Sequence, residues 1–96
     1  MDRNAFMEKI KEKMGELDSQ IDQLQVKADK ASEDVRHQWE KRKLDLKERR
    51  EELSSKLDEI RNSADSRFEE LKASAESTWD KAAKGLKDIK DNLFGK

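Results

Sequence analysis

The sequence predicts an all-α fold, a coiled coil or helical hairpin of long amphipathic helices, on three observations. An apolar stripe recurs at spacings of three and four from Met7 onward, through Ile10, Met14, Leu17, Ile21, Leu24, Ala28, Ala31 and Val35. Proline is absent from all 96 residues, and glycine occurs only at Gly15, Gly85 and Gly95, so little in the chain would interrupt a helix. Charged residues make up 47% and apolar residues 32%, a balance that suits exposed helical rods better than a globular core.

The first element is the heptad seam over 7–35, the pattern that sets one narrow helical face against another helix. From 35 to 93 the apolar residues line up at intervals of eleven. One row is Val35, Leu46, Leu57, Phe68 and Trp79; the others are Leu53, Ala64, Ala75 and Leu86, and Ile60, Leu71, Ala82 and Leu93. Eleven residues over three turns is about 3.67 per turn, which predicts a straight or slightly right-handed helix there. In the C-terminal part, Phe68, Leu71, Trp79, Leu86, Ile89 and their neighbours cover an arc of about 80°.

A single uninterrupted helix would be ~144 Å long at about 1.5 Å per residue and could not bury its own stripe. The clearest turn signal is Asn62-Ser63-Ala64-Asp65-Ser66, whose short polar side chains compete for backbone hydrogen bonds, with Ser66 and Glu69 spaced as a capping box. A second signal is Ser32 followed by Glu33 and Asp34, an N-cap and an acidic first turn. Against it, the heptad continues through Ala28, Ala31 and Val35. The reading is one domain with a helix over 3–61, a break at 62–66 and a helix over 66–94. The alternative is a three-helix bundle with breaks near 31–33 and 62–66. Gly15 sits off the seam, and Gly95 suits a C-terminal stop.

Charge is nearly balanced, at 22 basic against 23 acidic residues, but runs acidic, basic, acidic along the chain. Residues 36–50 hold the basic block, and pairs such as Asp45/Arg49, Glu52/Lys56 and Asp80/Lys84 have helical spacing. Two such rods attract best when the basic middle of one lies over an acidic arm of the other. Between Trp39 and Leu53 the seam weakens, because Arg42 and Arg49 or Arg50 stand where apolar residues are due.

No arrangement of residues points to catalysis: a nucleophile needs a base beside it, and the one histidine lies in a highly charged stretch. His37 shares a face with Glu33, Asp34 and Glu40, but bundle metal sites draw ligands from several helices, so no metal or cofactor is expected. The run from Lys41 to Arg50 is diluted by Asp45 and Glu48 and lacks interleaved aromatics, which argues against nucleic acid. There is no cysteine, no span of about 18 apolar residues, and no secretory h-region after Met1-Asp2-Arg3-Asn4. A cytoplasmic location is expected. The residues expected to meet a partner are Ile10, Met14, Leu17, Ile21, Leu24, Val35, Leu46, Leu53, Leu57, Ile60, Phe68, Leu71, Trp79, Leu86 and Ile89. The partner is the chain itself, most simply as an antiparallel dimer, or another helical protein. A membrane surface, met by the amphipathic stretch 66–94, is the competing reading.

The heptad arm with Ile21-Asp22-Gln23-Leu24 and Lys27-Ala28-Asp29-Lys30-Ala31 resembles short bacterial coiled-coil proteins of stress-response type. The charged centre, and Phe68-Glu69-Glu70-Leu71-Lys72 leading to Ser77-Thr78-Trp79-Asp80-Lys81, extend the resemblance over most of the chain. It implies a cytoplasmic, non-enzymatic helical protein and carries over no functional residues. The later repeats are also similar to late-embryogenesis-abundant helices, though with less alanine and glycine.

Overall fold

Ser32 starts a helix that the seam alone does not require. In a computed structural model that describes residues 2–95, α1 runs Arg3–Asp29, α2 Glu33–Asn62 and α3 Asp65–Leu93. The Ser32 hydroxyl accepts a 3.3 Å hydrogen bond from the Val35 amide, and Glu33 and Asp34 occupy the first turn of α2. On the other side of the turn, the Lys30 and Ala31 amides donate to the Lys27 and Ala28 carbonyls and close α1. The helix expected over 3–61 is therefore two helices. Its physical reason is burial: a straight rod leaves the whole stripe in water, whereas the turn costs a few helical hydrogen bonds and lays α2 back along α1.

The second turn is Ser63-Ala64, tighter than the break expected at 62–66. Ser63 caps α2, with its hydroxyl donating to the Ile60 carbonyl at 2.9 Å. α3 begins at Asp65 with Ala64 as N-cap, so Ser66 lies inside the helix and does not serve as the cap that its spacing suggested. Both turns form without any positive φ among the described residues. Gly95 follows Phe94 at the end of α3, where a Cβ would collide with the Asp91 backbone, in keeping with a C-terminal stop.

The three helices stack up–down–up into a rod of 50 × 19 × 16 Å. One half of the core joins Phe6, Met7, Ile10 and Met14 of α1 to Leu53, Leu57 and Ile60 of α2 and to Leu71 and Ala75 of α3. The other half joins Leu17, Ile21, Leu24 and Ala28 to Trp39, Leu46, Ala82, Leu86 and Ile89. α1 keeps the predicted heptad. In α2 the buried residues Trp39, Leu46, Leu53 and Ile60 recur every seven residues, not every eleven, and Val35 is only half-buried. The eleven-residue period survives inside α3, where Leu71, Ala82 and Leu93 share one row; rows drawn across Ser63-Ala64 cross a turn and are not one face.

Two sites along the helices are weak by construction. Gly15 lies exposed within α1, and a Cβ there would meet nothing within 4 Å. Ala64 caps α3 with no side-chain hydrogen bond. Gly15→Ala should raise stability by roughly 0.5–1 kcal/mol through backbone entropy and helix propensity. Ala64→Ser should add about 1 kcal/mol by capping. Thermal unfolding followed by circular dichroism should show Tm rising by about 4–8 °C per kcal/mol. No rise for either variant contradicts these helix boundaries.

Candidate interaction surface

Twelve of the fifteen residues expected to meet a partner are buried in the chain's own core: Ile10, Met14, Leu17, Ile21, Leu24, Leu46, Leu53, Leu57, Ile60, Leu71, Leu86 and Ile89. Within the one chain these residues pack against one another across the three helices. Val35, Phe68 and Trp79 are half-buried. Two aromatic residues outside that set carry the core: Phe6 and Trp39 are both fully buried, at 0% exposure. Trp39 lies seven residues before Leu46, and that spacing was the signal for its place.

The α1–α2 contact is where the charge pattern resolves. Trp39 donates its indole N–H to Gln25 Oε1 at 3.0 Å, and Lys43 Nζ donates to the same oxygen at 2.8 Å. Arg50 donates through Nε and Nη2 to the Asp18 carboxylate at 3.1–3.3 Å. The Arg50 guanidinium is held above its ordinary value, chiefly by that hydrogen bond; burial opposes the rise, and the Asp18 and Glu51 charges add to it. Because the folded-state value is raised, this contribution is present at all physiological pH and is lost only in strong alkali, as pH rises through the folded value. Arg42, Lys43, Arg49, Arg50 and Lys56 are all half-buried, with stems laid against the apolar seam. Every acidic residue of α2 is exposed. The seam that weakens between Trp39 and Leu53 is nonetheless packed: Leu46 is buried and four cations of the run are half-buried beside it, while Lys41 and Lys47 stay exposed. The expected i,i+4 pairs give way to others: Arg49 meets Glu52, Lys56 meets Glu59, and Lys87 meets Asp91.

The α1–α3 contact is built differently. Here two parallel helices meet through rings and cations. Phe6 and Phe68 pack edge to face at 6.1 Å between centroids. Arg3 lies 5.8 Å from the Phe68 centroid and bonds Asp65 at 2.7 Å, while Lys72 lies 6.0 Å from the Phe6 centroid. Further along, Lys13 stands 4.7 Å over the Trp79 ring. Each helix thus presents a ring to a cation of the other, a contact that tolerates water along its edge better than an aliphatic seam does.

Trp79 touches both halves of the core while remaining half-buried. Two surface depressions flank it in the α1–α3 groove. One, of about 170 Å³, is floored by Phe6 and Ile10; the other, of about 260 Å³, by Ala83 and Leu86 with Gln20 on its rim. Elsewhere, Val26 and Leu44 are exposed singly, on different helices. His37, Glu33 and Asp34 line an open surface at the start of α2, and no group of three or more His, Asp or Glu among the described residues is placed to hold a metal ion. No described helix is long and apolar enough to cross a membrane.

Trp39→Ala should cost roughly 3–5 kcal/mol, since it removes the largest buried side chain and one of the two donors to Gln25 Oε1. Asp18→Asn should cost under about 1 kcal/mol, because the pair is more than a third exposed, and the loss should shrink further in high salt. Denaturant unfolding of the two variants side by side checks the ranking; the reverse order contradicts it.

No protein-family model, curated protein or solved structure matches this chain.

Proposed function

We propose that this chain is a non-enzymatic structural and interaction protein that acts through helix–helix contacts, by self-association or by scaffolding another helical protein. The observation that carries this reading is Trp79, a half-buried ring between two depressions on the face where α1 and α3 meet. Tryptophan in such a setting is the commonest kind of binding hot spot: a rigid ring already ordered by its own fold and still able to lose surface to a partner. The seam residues serve this role indirectly. They close the bundle and hold the α1–α3 face in shape, so the partner contact moves from the seam to the outer surface.

A cytoplasmic, stress-linked setting is what the family resemblance implies, and it belongs to this proposal. The second reading, binding to a membrane surface, has one observation in its favour. α3 separates its apolar face (Leu71, Ala75, Ala82, Leu86, Ile89) from its charges more cleanly than the other two helices. That face is buried, so α3 would have to leave the bundle to reach lipid.

Sedimentation from micromolar to near-millimolar concentration, with and without anionic phospholipid vesicles, separates the readings. The proposal expects mass to rise above the 11.3 kDa of one chain as concentration increases, with helicity and mass unaffected by vesicles. A chain that stays monomeric alone but sediments with vesicles contradicts it in favour of the membrane surface.

A further inference from the structure

We infer that the partner on the α1–α3 face is a second copy of this chain, packed antiparallel with its two-fold axis beside Trp79. The inference rests on the self-association reading above and adds the face, the orientation and the residue at the centre.

Position along the rod is the first ground. Lys13 over Trp79 and Arg50 against Asp18 set the levels of the three helices against one another. They put Trp79 close to mid-length, with one depression on either side of it. A two-fold axis there brings each Trp79 against its counterpart and lets the exposed edge of each ring face the depressions of the other copy. A contact centred elsewhere along the groove would move the largest half-exposed ring away from the middle of the interface.

Charge is the second ground, and it decides orientation. The end built from residues 2–16 and 51–78 carries 8 basic and 12 acidic residues, a net of −4. The opposite end, residues 17–50 and 79–95, carries 13 basic and 11 acidic residues, a net of +2. The acidic–basic–acidic pattern of the chain has folded into a rod with one negative and one positive end. Parallel copies would set like against like. Antiparallel copies set each end against its opposite, which favours encounter and fixes register.

Area is the third. A long side of this 50 × 19 × 16 Å rod spans roughly the 800 Å² that a standard stable interface takes from each partner. The face is large enough for one copy and has no room for two. Its apolar centre around Trp79, edged by equal numbers of lysines and carboxylates, also fits the usual division of an interface into apolar centre and polar edge.

The chain contains no cysteine, so single introduced thiols report position cleanly. Glu69 lies ten residues before Trp79 and Lys90 eleven after, so an axis beside Trp79 brings residue 69 of one copy near residue 90 of the other. Two copies of residue 69 would be about 30 Å apart at 1.5 Å of rise per residue. Mixing Glu69→Cys with Lys90→Cys under mild oxidation should give a cross-linked heterodimer, and neither variant alone should cross-link. Ala83→Glu, which places a charge beside Trp79 without touching either core half, should weaken dimerisation at least tenfold with helicity and Tm retained. Cross-linking of Glu69→Cys with itself overturns the antiparallel geometry while leaving self-association standing. Association unchanged by Ala83→Glu overturns the face in the same way. A wild-type chain monomeric at all concentrations overturns both the inference and the reading beneath it.

Discussion

Burial of a narrow stripe is the constraint on which everything else in this molecule depends. Apolar residues spaced three and four apart cover only part of a helix's circumference, so a helix on its own cannot shelter them. Three such stripes facing a common axis can. The chain supplies all three by folding back at Lys30–Ser32 and again at Ser63-Ala64. Each buried leucine or isoleucine contributes roughly 1.5–3 kcal/mol relative to exposure, more than enough to outweigh the helical hydrogen bonds given up at a turn. With so few apolar residues, a fully buried tryptophan and phenylalanine, one in each half, do a large share of the filling.

The charges follow the same geometry. On α2, cations occupy the positions beside the seam, where long stems can cover apolar surface while the head reaches water or a carboxylate. Carboxylates are too short for that and point outward. A helix with nine basic and nine acidic residues is therefore neutral in sum and sorted by face. The same sorting explains why the α1–α2 contact uses the Asp18–Arg50 pair and the Gln25–Trp39–Lys43 cluster. The α1–α3 contact has rings where α2 has arginines, and it stays open enough to leave Trp79 half-exposed.

Helical class and the heptad of α1 were legible in the sequence because period alone determines them. The turn at Ser32 was legible only as a local cap, and the continuous heptad through Ala31 outweighed it. Continuity is the weaker of the two signals for a physical reason. Alanines at seam positions bury little, so continuity there costs little to abandon, whereas Trp39 and Leu46 gain a great deal by turning back onto Leu17 and Leu24. The eleven-residue rows misled in a similar way, since they were counted across a turn that resets helical phase. In α2, Arg42 and Arg49 mask a seven-residue row, because arginine reads as polar although its stem can pack. The α1–α3 groove could not be read beforehand at all. It exists only once the direction of all three helices is known.

The claim that most needs testing is the double reversal of the chain within one molecule. Lys11 and Asp58 are exposed and flank the cluster that contains Met14 and Leu57 on adjacent helices. Spin labels at these two positions, diluted with unlabelled chain and measured by double electron–electron resonance, report their intramolecular separation. The bundle predicts roughly 15–25 Å, given helix axes about 8–10 Å apart and the reach of two labels. A helix continuous from 3 to 61 would separate them by about 70 Å, and a distribution centred there would contradict the account.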